Sequence, residues 1–124
     1  VIFMESILVS IKKLLGLESD YDAFDTDIII GINTALMVLN QLGVGPKEGY
    51  SISSDVETWS DFLGEDESLL QSVKTFVYLK TRLVFDPPST SFVISAMDEQ
   101  IRELEWRIVV QLENLKREER RDFE

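Results

Sequence analysis

The chemistry open to this chain rests first on its carboxylates. Asp20, Asp22, Asp25 and Asp27 fall close together, a spacing that invites a calcium ion. A calcium loop between two helices needs glycine at its sixth position and a bidentate glutamate at its twelfth. Counted from Asp20, those places hold Asp25 and Gly31, so the pattern fails. Acids ahead of an apolar stripe are explained more simply as helix starters, since they favour the positive end of the helix dipole. Ser51, Ser53, Ser54 and Ser60 have no imidazole to activate them, because the sequence contains no histidine, and no Gly-x-Ser-x-Gly elbow surrounds any of them. Val44-Gly45-Pro46-Lys47 lacks the spaced glycines and the Lys-Ser/Thr pair of a phosphate loop. The absence of cysteine removes disulfides, thiolate metal sites and thiol nucleophiles, and the absence of histidine removes imidazole bases and ligands. Paired carboxylates can do acid–base work alone. Here, however, they fall at helix starts and on charged faces, with no apolar setting to raise a pKa. The expectation is a chain with no catalytic, cofactor-binding or metal-binding residue, and not an enzyme.

The elements that carry these residues are helical. At 124 residues with a hydrophobic fraction of 44%, the chain suits one domain with a real core. From Glu5 to Leu15, Ile7, Leu8, Ile11, Leu14 and Leu15 keep the i, i+3, i+4 rhythm of a one-sided helix, and Gly16 stops it. A second helix runs from about Asp22–Asp27 to Leu42 with Ile28, Ile32, Ala35, Leu36, Leu39 and Leu42 on its stripe and Ile29 and Val38 widening it, and Gly31 offers a point of close helix approach. Residues 44–57 have no helical rhythm, and Gly45-Pro46 and Gly49 break it further. Thr58 to Gly64 reads as one helical turn. A third long helix spans about Asp66 to Val84, with Glu65, Asp66 and Glu67 at its start and Val84 on its stripe. Asp86-Pro87-Pro88 then forces a helix–turn break. Ser89 or Ser91 caps a last helix that reaches about Lys116, with Phe92, Val93, Met97, Ile101, Leu104, Ile108, Leu112 and Leu115 inward. Asp98/Arg102, Glu103/Arg107 and Glu113/Arg117 are acid-before-base pairs on its solvated face. The resulting fold class is all-α: an antiparallel bundle of about four main helices, a short helical turn and one long loop. The domain covers 4–116, with 1–3 an N-terminal extension before Met4 and 117–124 a charged, fraying tail, read either as a polyampholyte helix end or as a docking segment.

The net charge of −11 repels duplex nucleic acid, whose unspecific binding is phosphate neutralisation, and disfavours anionic membranes. The apolar run Ile28–Ile32 falls far short of the ~20 residues of a membrane span, so no membrane partner is expected. Two surfaces stand out. Trp59 with Phe62, and Trp106 with Val109 and Val110, form a candidate subunit interface, with the core an equal alternative for these side chains. Segment Val44–Glu57, with Glu48, Tyr50, Asp55 and Glu57, is expected to be mobile and to face a partner or a lumen.

Several strings in order resemble one family. Gln41-Leu42-Gly43-Val44-Gly45-Pro46 and Thr58-Trp59-Ser60-Asp61-Phe62-Leu63-Gly64 are similar to the middle of the head–tail connector (adaptor, head completion) proteins of tailed bacteriophages. Val73 through Lys80, Leu83-Val84-Phe85-Asp86-Pro87-Pro88, Ser91-Phe92-Val93 and Glu103-Leu104-Glu105-Trp106-Arg107 continue the likeness over about residues 4–115. The resemblance implies a helical subunit, from a phage or prophage, without cofactor. It further implies a ring oligomer, twelvefold, beneath the portal protein of a filled capsid. Such a ring extends the channel through which DNA passes without specific binding, and docks the next connector, stopper or tail-completion protein. The implied location is the virion neck, assembled in the bacterial host cytoplasm. Two other readings stand beside it: a small adaptor or regulatory bundle binding one host protein as a monomer or dimer, and a small carboxylate enzyme. Ring formation with portal separates the first two, and single carboxylate replacements dispose of the third.

Overall fold

The computed structural model describes residues 5–64 and 67–122. Five helices follow in order among them: α1 (Ile7–Leu14), α2 (Asp25–Leu42), α3 (Trp59–Leu63), α4 (Leu70–Phe85) and α5 (Ser91–Asp122). No strand occurs among the described residues, and only an isolated antiparallel bridge joins Ser6 to Thr58. The fold is an all-α bundle whose main contact is α2 against α4, with α5 laid on α4 and α1 touching both α2 and α4. The short connection between α4 and α5 makes them antiparallel neighbours. Ser6 caps α1 by accepting from the Val9 amide, and Thr58 and Asp61 close a reciprocal capping box on α3. At Gly31 α2 and α4 approach closely: a Cβ there would meet Thr81 Cγ2 at 3.1 Å.

The core collects Ile7 and Ile11 of α1, Ile28, Ile32, Leu36 and Leu39 of α2, Trp59 and Phe62 of α3, Val73, Phe76 and Val77 of α4, and Met97, Ile101 and Ile108 of α5. Burial of each large side chain contributes roughly 1.5–3 kcal/mol, set against the entropy of ordering it.

Several expectations need correction. Helix α4 begins at Leu70, because Glu67 turns the chain first and accepts the Leu70 amide; the expected start at Asp66, with Glu65, lies outside the described residues. The cap of α5 is Thr90, which accepts from the Val93 and Ile94 amides, not Ser89 or Ser91. The helix also continues past Lys116 to Asp122, so 117–122 is ordered helix rather than frayed tail. Phe92 is 82% exposed; it stands five positions before Met97, about 140° round the helix at 100° per residue. Val93 shares the inner side but lies in the first turn, ahead of the first buried residue of α5, Met97. Val84, in the last turn of α4, is exposed rather than buried. Of the three acid–base pairs on α5, the described residues close one, Glu103–Arg107 at 3.1 Å.

Candidate functional site

The long loop after α2 is tied down rather than free. Asn33 on α2 accepts the Ile52 amide at 2.7 Å and donates back to the Ile52 carbonyl at 2.9 Å. Asn40 donates to the carbonyls of Val44 and Pro46, and the Ile7 amide reaches the Glu57 carbonyl. Val44 and Ile52 are buried between these pins. The expected mobility of Val44–Glu57 is therefore corrected: the segment is irregular because Gly45, Pro46 and Gly49 deny it helix, yet Asn33, Asn40 and Ile7 pin its backbone to α2 and α1, while the buried Tyr50 hydroxyl finds no hydrogen-bond partner.

Within that loop Glu48 and Asp55 are exposed, and Tyr50 and Glu57 are engaged inside the subunit. The Tyr50 ring lies 5.5 Å from Phe62, and its phenol is pushed up to about 12, first by burial and then by the charges of Asp61 and Glu57. Burial alone would raise the Glu57 carboxyl. Hydrogen bonds from the Ser53 amide, its own amide, the Ser53 hydroxyl and the Ser54 amide outweigh that and hold it below its usual value. Glu57 thus closes the turn that orders its own loop.

Trp59 and Phe62 are core residues, 0% and 1% exposed. Trp59 Nε1 donates to Ser10 Oγ at 2.9 Å, and Ser10 donates on to the Ile7 carbonyl. No side-chain surface is left for a neighbour, so the interface expectation is corrected for this pair. Trp106 is different. It is 63% exposed, two positions before buried Ile108 and so about 200° round the helix from it, with Val109 and Val110 half-buried on either flank. At the helix turn, Asp86 has left helical geometry (φ −144°, ψ 65°) while its amide still bonds the Arg82 carbonyl, and Pro87 and Pro88 follow before Thr90.

The acidic run does not converge. Asp20, Asp22 and Asp27 are exposed, and Asp25 pairs with Lys12 at 2.8 Å. Lys12 is 1% exposed and also donates to the Ser19 carbonyl, so one aspartate of the run neutralises a buried ammonium. No group of acids among the described residues is placed to hold a metal ion, and no described helix is long and apolar enough to cross a membrane.

A second exposed apolar surface was not anticipated from the sequence. Phe24, Ile30, Val84 and Phe85 line one depression with Asp27, and Ile30, Thr34, Leu83 and Val84 line an adjoining one with Lys80. Ile30 was the signal available. It sits two positions from both Ile28 and Ile32, so burying those two turns it outward.

The family model for phage connector proteins matches residues 7–115. The chain belongs to the phage connector protein family. Comparison with curated proteins and with solved structures returned no match. The matched span takes in every helix up to Leu115 of α5, including the pinned loop, the Asp86-Pro87-Pro88 turn and Trp106. Connector proteins are structural parts of the phage particle, in keeping with a site made of surfaces rather than of reactive groups.

Proposed function

We propose that the chain is a subunit of the phage head–tail connector, forming a ring below the portal protein that extends the DNA channel and docks the next connector, stopper or tail-completion protein. The family match over residues 7–115 carries this reading. A second support is the surplus of apolar side chains that a lone subunit leaves in water, above all Trp106, Ile30, Val84 and Phe92. Exposed apolar surface beyond scattered single side chains, as where Ile30 and Val84 adjoin, marks interaction sites. The ring is twelvefold in this reading, with Trp106, Val109 and Val110 at a contact between subunits. Glu48 and Asp55, on the exposed side of the pinned loop, face the channel, where acidic side chains keep passing DNA from phosphate contacts that would slow it. Assembly takes place in the host cytoplasm and the product is part of the virion neck.

Native mass spectrometry of the subunit alone and with purified portal tests this. A closed ring of subunits on the portal is the expected species. A subunit that stays monomeric or dimeric with portal present would favour the adaptor reading instead. Charge reversal of Glu48 and Asp55 to lysine should leave folding intact and slow DNA ejection.

A further inference from the structure

Two apolar surfaces of the subunit are distinct in place and in shape. One is a knob: the Trp106 indole on the outer side of α5, beside a depression it shares with Ser68 and Ser72 near the start of α4. The other is the groove between α2 and α4, floored by Ile30 and Val84 near the end of α4. Ser72 and Val84 are separated by about 18 Å of helix at 1.5 Å per residue, so the two do not merge into one patch. A twofold contact uses a single self-complementary patch on both copies, whereas a head-to-tail contact needs two different surfaces on each chain.

Charge sorts the same way. Copies carrying −11 each repel at long range, so contact between them must set opposite charges together locally. Arg107 stands beside the knob with its guanidinium 6.0 Å from the Trp106 ring, held by Glu103, and Arg102 precedes Trp106 by one helical turn. The groove is rimmed by Asp27 at its Phe24 end, with exposed Asp20 and Asp22 ahead of Phe24, and by Lys80 at its Thr34 end, so the knob's arginines find their match at the Asp27 end alone. Tryptophan and arginine are both among the side chains enriched at the energetic centres of interfaces.

We infer that the Trp106 face of α5 seats in the α2/α4 groove of a second copy of this chain, with Arg107 and Arg102 toward the neighbour's Asp27 rim. This head-to-tail contact deepens the ring reading above and rests on it only for closure.

The absence of cysteine makes site-directed cross-linking clean. Thr34→Cys places a thiol in the groove and Gln111→Cys one beside the knob; Lys47→Cys on the loop is the control. In a mixture of the two single variants, a short bis-maleimide should give the 34–111 adduct well above the 34–34 and 111–111 adducts. Adding Trp106→Ala to the Gln111→Cys partner should raise the concentration for half-maximal cross-linking on the order of thirtyfold, as loss of a hot-spot aromatic does. The same change in the Thr34→Cys partner should do nothing, because that copy's knob is not used. The inference is overturned if homotypic adducts dominate, if Trp106→Ala acts equally in both partners, or if no adduct exceeds the Lys47→Cys control. With the double-cysteine chain and portal, heterotypic adducts that stop at the dimer would retire the ring and leave this contact; a long ladder of homotypic adducts would keep the ring and retire the contact.

Discussion

Gly45→Ala tests how firmly the loop is packed on the core. Gly45 has φ +84°, and a Cβ built on it would lie 2.5 Å from Phe62 Cε1 and 2.9 Å from Cδ1. Two costs follow. A side chain in left-handed backbone costs roughly 1–2 kcal/mol. Carbon atoms settle at about 3.5–4.0 Å, so the Phe62 ring must retreat by about 1 Å, and it is 1% exposed with the Tyr50 ring tilted against it at 5.5 Å. Overpacking of that kind costs about 1–3 kcal/mol. The total, roughly 2–5 kcal/mol, is a large share of the ~5–15 kcal/mol that holds a domain together. Gly49→Ala is the matched control, because Gly49 has φ +93° and nothing within 4 Å of its Cβ position. Both substitutions restrict the unfolded chain alike, so their difference isolates the contact with Phe62. Urea unfolding followed by far-UV circular dichroism should show both midpoints lowered at constant slope, Gly45→Ala further by the equivalent of about 1–3 kcal/mol. Phe62→Leu should recover part of that difference in a double-mutant cycle. Equal midpoints for the two alanine variants would refute the packing argument.

Lys12→Ala removes the partner of Asp25 from a buried site, and breaking a buried pair in this way costs about 3–5 kcal/mol when the remaining charge stays dry; because Asp25 keeps some contact with water, the lower end is expected by thermal melting, and an unchanged melting temperature would show the pair contributes nothing. Replacing Pro87 and Pro88 together by alanine restores two donors and lifts the steric stop, so α4 and α5 should tend to fuse into one rod; light scattering should report a larger hydrodynamic radius or aggregation, and a wild-type radius with wild-type assembly would assign the turn to other contacts. Tyr50 titrates near 12 in the folded state and near 10 when unfolded, so its neutral form is favoured by folding; that contribution is whole below pH ~10 and is lost as pH rises toward about 12. The stability of wild type relative to Tyr50→Phe, measured across that window, should fall as pH rises toward about 12, and a difference independent of pH would place the phenol in water.

The helical stripes could be read from the sequence because burial repeats with the helical period: Ile28, Ile32, Ala35, Leu36 and Leu39 are all buried, Leu42 at the helix end is half-buried, and Gly31 does lie at a close approach of two helices. What periodicity does not carry is how far along a helix its partner extends. Val84 and Phe92 sit in terminal turns that no neighbour covers. The two tryptophans show the same limit. Trp59 is dry because Ser10, 49 residues away in sequence, meets its indole N–H, and Trp106 is wet because among the described residues it only borders an open depression with Ser68 and Ser72 and is not covered by them. The loop was legible as non-helical from its glycines and proline. Its anchoring was not, because Asn33 and Ile52 find each other across 19 residues.

The strap between the N-terminal segment and α3 has a consequence for the order of folding. Ser6 bridges Thr58, the Trp59 amide bonds the Glu5 carbonyl, and Lys74 reaches Glu5 across 69 residues. Closing the 49-residue span from Ser10 to Trp59 costs about 2 kcal/mol more entropy than closing the short turn between α4 and α5, on a logarithmic loop law. The α4–α5 hairpin is therefore the natural nucleus, and α1 docks late, onto a surface already built from α2 and α4. Substitutions at Ile7 or Ile11 should speed unfolding while leaving the folding rate nearly unchanged. Hydrogen exchange in the free subunit should find α1 opening before the rest, so the cheapest excursion this chain can make is to let go of its own beginning.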